Sequence, residues 1–193
     1  MSTDHDVTVS TDTEKQTLGS FVSRQIAVYG SDRPALAALR SGVGRPFRSA
    51  SPMLLLYTQA PGWSARDDSR KIEAAHSALT LFALRSTGSS GGTAHRKGVS
   101  FGRALRAVAV ARNSDSATDR SIRELTTAGT YAEVSSHLRR AVSLMAQANV
   151  SLDFVSLAFD LDNISRGGDR KRKVLIAWAS DYLYKATNKE GSE

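Results

Sequence analysis

Apolar residues recur every three or four positions along most of this chain, and no segment alternates apolar and polar residues with any strength. That periodicity admits helices and leaves little room for a sheet. It is clearest in residues 98–112. Ser100 is placed to cap a helix, its hydroxyl accepting an orphan backbone N–H of the first turn. Phe101, Leu105, Val108 and Ala109 then make one apolar stripe, while Arg103, Arg106 and Arg112 fall on other faces.

Other segments follow the same rule. Leu18, Phe21, Val22, Ile26 and Tyr29 share a face before Gly30, and Asp32 is placed to cap a short second helix with Pro34 near its start. The run Met53-Leu54-Leu55-Leu56-Tyr57 reads as helix, because no second strand lies nearby to pair with it. A longer helix is expected over residues 69–84, with Ile72, Ala75, His76, Leu79 and Phe82 inward. Residues 114–118 read as a loop and 119–128 as a helix through Ile122 and Leu125. Thr130 and Glu133 match a capping box for a helix to about residue 148. Asp153 and Asp169 are expected to cap the last two helices, the final one with core positions Val174, Ala177, Trp178 and Leu183. The expected architecture is all-α, with about eight or nine helices in two packed bundles. An acidic, disordered tail over 1–16, an N-terminal bundle over 17–92 and a C-terminal bundle over 93–193 complete the division, the Gly/Ser-rich stretch 86–97 marking the boundary.

Charge narrows the function. The net charge is +7, and the tail holds four acids against one lysine, so the remainder carries +10. No acid lies between Glu73 and Asp115, where Arg85, Arg96, Lys97, Arg103, Arg106 and Arg112 accumulate; none lies between Asp32 and Asp67, where Arg33, Arg40, Arg45, Arg48 and Arg66 do. Such excess suits a polyanion, nucleic acid before an anionic membrane. Arg70 and Lys71 sit in the first turn of one helix, and Arg170, Lys171, Arg172 and Lys173 in the first turn of another. Cations there oppose the helix dipole, and a bound phosphate would reverse that cost. Arg139 and Arg140 lie late in the helix that Thr130 caps.

Several chemistries find no residues. Cysteine is absent, which removes disulfides, thiol nucleophiles and Cys-type zinc sites. The four histidines are His5, His76, His95 and His137, and none pairs with another at i+3 or i+4 for a metal. His76 reads as a core histidine, and His95 as an addition to a basic loop. Asp160 and Asp162 point different ways on one helix. No acid–base pair stands out, so no catalytic site, metal or cofactor is expected. No run of about 18 apolar residues offers a membrane span. The polar, acidic N-terminus carries no signal-peptide pattern, and the absence of cysteine fits a reducing cytoplasm.

The stretch Gly98-Val99-Ser100-Phe101-Gly102-Arg103-Ala104-Leu105 resembles the Gly-(Ile/Val)-Ser-(Leu/Phe)-Gly-Arg-Ala-Leu signature of the CasB family, the small subunit of the type I-E CRISPR Cascade complex. Ala60-Pro61-Gly62-Trp63, His137-Leu138-Arg139-Arg140, Leu152-Asp153-Phe154 and Thr187-Asn188-Lys189 are similar to further family motifs in the same order, so the resemblance runs over roughly residues 17–189. It implies an all-α fold of two bundles without catalysis. It also implies two copies head to tail along the crRNA-bearing backbone, beside other Cascade subunits, helping to hold target and displaced DNA strands when the R-loop opens. The arginines it carries over are Arg40, Arg103 and Arg140, with Arg96, Lys97, Arg170, Lys171, Arg172 and Lys173 where the family also places basic clusters. A helix–turn–helix regulator is the competing reading of residues 122–142, with Ala128-Gly129-Thr130 as the turn. Against it, residues 131–136 lack the Arg, Lys, Asn and Gln that read bases directly.

Overall fold

The computed structural model describes residues 17–49, 69–87 and 94–184. Among these are eight α-helices: α1 (Leu18–Tyr29), α2 (Arg33–Ser41), α3 (Ser69–Arg85), α4 (Phe101–Ala111), α5 (Ser116–Thr127), α6 (Tyr131–Gln147), α7 (Phe154–Ser165) and α8 (Gly168–Leu183). A 3₁₀ turn, Phe47–Ser49, follows α2. No strand is present among the described residues, only one isolated bridge between His95 and Leu152. The tail 1–16, the run 53–57, the Pro61-Gly62-Trp63 turn, the loop glycines before residue 94 and the 187–189 motif lie outside the described residues.

The helix starts obey local chemistry. Thr17, Asp32, Ser100, Thr130 and Asp153 each accept a backbone N–H of the turn they open, and Thr130 and Glu133 complete a reciprocal capping box. Two expectations need correction. Asp169 does not cap α8; the N-cap is Gly167, and Asp169 stands exposed in the first turn beside Arg172. The fifth helix begins at Ser116, inside the stretch read as a loop, and its Asp115 makes no side-chain cap bond because it pairs with Arg106 instead.

Helix α3 forms the centre. Its small residues Ala74, Ala75, Ala78 and Ala83 are fully buried and let α1, α2, α6 and α7 close in from several sides. The most extensive pairing is α3 with α7, where Phe82 meets Phe154 edge-on, ring centroids 5.5 Å apart. Burying a large apolar side chain of this kind contributes about 1.5–3 kcal/mol. The second is α4 with α8, where Gly102 is required: a Cβ there would lie 2.2 Å from the Trp178 carbonyl. Buried residues from 17–92 and from 93–193 join in one core. On α8 the inward face is Val174, Leu175, Trp178 and Tyr182, whereas Ala177 and Leu183, both expected inside, are exposed. The Gly102 contact and the bond from the Trp178 indole to Asp160 at 2.7 Å set that rotation.

Candidate nucleic-acid interface

A cleft opens between the 43–48 turn, the outer face of α3 and the first half of α6. It consists of two adjoining cavities of about 360 and 390 Å³ that share Pro46, Glu73 and Tyr131 as walls. Arg45 and Arg139 border the first, and Arg48 and Arg70 the second. The turn is fixed from behind. His76, buried on α3, meets the Arg45 carbonyl through Nε2 at 3.0 Å, and the Phe47 N–H donates to Glu73 Oε2 at 3.0 Å. Burial lowers the His76 pKa, so the ring is neutral and donates, a satisfied core histidine as expected from sequence. Gly44 takes φ +75°, and a Cβ there would lie 2.8 Å from an Arg139 guanidinium nitrogen, so a bare turn lets Arg139 lie across it. Tyr131 anchors α6 to α3 through Ser77 at 3.2 Å, and burial pushes its hydroxyl up to about 12, so it stays protonated.

The other nominated cations are spread over the surface. Arg40, half-buried at the end of α2, approaches the Thr87 hydroxyl at 3.5 Å. Lys71 is half-buried beside Arg70. Arg96 and Lys97 are exposed on a turn locked to the start of α7: the Arg96 N–H donates to the Leu152 carbonyl at 3.1 Å, and the Gly98 N–H to Asp153 Oδ2 at 2.8 Å. Asp153 also accepts the Val155 and Ser156 N–H groups. Burial pushes its carboxyl up, but those donors outweigh burial and hold it below the usual range. Arg103 is 63% exposed, with Asp181 at 3.8 Å. Arg140 pairs with Glu124 at 3.2 Å beside His137.

Three charges turn out to serve the fold. Arg85, one of the six counted toward a basic surface, is completely buried and donates to the Val150 carbonyl and to Asn149 Oδ1 at 2.9 Å. His95, read from sequence as part of a basic loop, is tied to the start of α7: its Nδ1 lies 3.2 Å from the Phe154 N–H and 3.9 Å from Asp153 Oδ1. Lys171 donates to the carbonyls of Ala128 and Gly129, both at 2.6 Å, closing the turn between α5 and α6. Of its neighbours, Arg172 lies 3.8 Å from Asp169, while Arg170 and Lys173 are exposed.

Thus the structure brings Arg70 and Arg139 to one cleft and adds Arg45 and Arg48, which sequence reasoning noted in an acid-free span but did not nominate. Arg96, Lys97, Arg103, Arg140 and the α8 turn do not line that cleft; Lys171 and Arg172 border a smaller hollow beside Ala128. Of residues 131–136, which a helix–turn–helix would turn to bases, Tyr131 is held against Ser77 at 3.2 Å, while Ala132, Glu133 and Ser136 are exposed. The described residues contain no group of three metal-ligating side chains, and no described helix is long and apolar enough to cross a membrane.

A family model described as CRISPR-associated protein Cse2 matches residues 35–183. Solved structures share the fold. CasB from Thermobifida fusca is 24% identical, with a TM-score of 0.68 over 86% of this chain and 98% of that one. A CRISPR-associated protein of the Cse2 family from Thermus thermophilus is 24% identical, with a TM-score of 0.59 over 86% and 94%. A structure of CasB from Thermus thermophilus is 22% identical, with a TM-score of 0.58 over the same shares. A search of curated protein sequences found no match.

Proposed function

The chain belongs to the CRISPR-associated Cse2 family, and from that premise we propose that it is a non-catalytic subunit of a type I-E Cascade complex in the cytoplasm, holding nucleic acid by its phosphates. In this reading it sits beside the other subunits and a second copy of itself, and steadies the crRNA-guided R-loop by contacting target and displaced strands. The observation that carries it is the convergence of Arg45, Arg48, Arg70 and Arg139, from three separate parts of the chain, on one cleft. The one acid among the described residues of its walls, Glu73, already accepts the Phe47 N–H. Guanidinium groups spaced along a groove track a phosphate backbone and read no bases. Arg40, Lys71, Arg96, Lys97, Arg103, Arg140 and the exposed cations of the α8 turn extend the basic surface in this proposal.

The test is a salt titration of single-strand binding by the full chain, repeated on strands of unrelated sequence. Affinity should fall with log salt at a slope of about 0.7 per phosphate contacted and should not depend on sequence. Binding indifferent to ionic strength, or confined to one sequence, contradicts the proposal.

A further inference from the structure

We infer that the cleft takes one nucleotide of a bound single strand with its base turned inward, the neighbouring phosphates lying on the rim arginines. The inference rests on the nucleic-acid reading above and specifies what the cleft does within it.

A surface that only tracks phosphates needs no chamber. This one has a chamber of about 360 Å³ behind Arg45 and Arg139, inside the range of small-ligand sites, roughly 300–1,000 Å³. Its inner wall includes Leu81, Leu138 and Leu161, buried core residues with apolar surface toward the cavity. Tyr131 contributes an aromatic wall held in place by its bond to Ser77. Neither feature favours a bare phosphate, which would meet apolar carbon there without a donor. Both favour a flat, largely apolar ring. Glu73 borders the same chamber. Its Oε2 holds the Phe47 N–H, and a carboxylate has further acceptor sites for a ring N–H or an exocyclic amine. An acceptor and an apolar wall inside, with two guanidinium groups at the mouth, match a nucleotide end to end. The adjoining cavity with Arg48 and Arg70 continues the cationic rim along one direction, as a strand entering and leaving the chamber requires. An acidic peptide would satisfy the rim but leave the chamber unfilled.

Two strands of equal length separate base from phosphate: homothymidine and its abasic counterpart. Thymine is chosen because its ring N–H can meet Glu73. Wild type should bind the thymine strand about tenfold more tightly than the abasic one. Ala132, exposed on the first turn of α6 and part of the chamber wall, gives a filling variant that leaves charge alone. Ala132→Phe should bring the thymine strand to the abasic level without changing the salt slope. Arg45→Ala with Arg139→Ala should weaken both strands alike and lower the slope. If Ala132→Phe melts early, Ser136→Tyr, one turn along the same wall, replaces it. Equal binding of both strands by wild type overturns the inference and leaves phosphate tracking intact. So does a thymine preference that survives filling. Displacement of the thymine strand from wild type, but not from the filled variant, by polyglutamate would reassign the chamber to acidic peptides. Failure to bind either strand removes the inference together with the nucleic-acid reading.

Discussion

The first turn of α8 and the cleft between α3 and α6 each present four cations, by opposite routes. On α8 they are consecutive, and the fold engages half of them: Lys171 closes the α5–α6 turn through two carbonyls, and Arg172 stands near Asp169. In the cleft they are scattered at positions 45, 48, 70 and 139, and among the described residues none of the four forms an ion pair. On the proposed reading, a charge run conspicuous in sequence is therefore the poorer guide to the strand-holding surface. Helix dipole and neighbouring carbonyls act on adjacent cations at once, whereas convergence of distant ones has no local cause and points outward to a ligand.

Substitutions can break that contrast, beginning with the most fully engaged cation. Arg85→Ala leaves the Val150 carbonyl and the Asn149 side chain without their donor inside the core and opens a cavity. It should cost about 3–5 kcal/mol in a denaturant titration. A cost near zero would mean that buried arginines here are as replaceable as surface ones.

A half-buried acid with no cationic partner among the described residues sharpens the contrast by pH. Burial pushes the Asp160 carboxyl up to about 6, more than the Trp178 indole donor lowers it. In the unfolded chain such a group ionises near about 4, so between those values the folded state holds the extra proton. Stability from this group is therefore full below about 4 and is lost as pH rises to about 6. Asp160→Asn should be more stable than wild type at neutral pH by roughly 1–2 kcal/mol and should lack that slope. Parallel pH–stability profiles contradict this.

Lys171→Ala should cost about 1 kcal/mol, since two carbonyls of a turn lose a donor, the Ala128 one part-buried and the Gly129 one exposed. Arg139→Ala should change stability by less than about 0.5 kcal/mol in thermal melts, while weakening strand binding. Equal destabilisation by the two would erase the distinction between engaged and unengaged cations.

Much of the fold was legible in the chain because its causes are local. Caps such as Asp32, Ser100, Thr130 and Asp153 act over three residues, and stripes such as Phe101, Leu105 and Val108 act over two turns. What was not legible depends on partners far along the chain. Arg85 finds acceptors 64 and 65 residues away. Leu175 and Tyr182 displace Ala177 and Leu183 from the core because Gly102, on another helix, fixes how α8 is rotated. The candidate site was half visible: Arg70 and Arg139 stood among the nominated cations, and the acid-free span holding Arg45 and Arg48 was the available signal. Only the fold places these four around one opening.

The most direct measurement sets two variants of the full chain side by side in the single-strand salt titration. One carries alanine at Arg45, Arg48, Arg70 and Arg139; the other carries alanine at Arg170, Lys171, Arg172 and Lys173. With about 0.7 in slope for each phosphate no longer held, the cleft variant should drop the slope by about 2–3, and the α8 variant by no more than about 1.5. An α8 variant whose slope falls as far as that of the cleft variant, or further, would contradict the assignment of the cleft as the principal strand-holding surface.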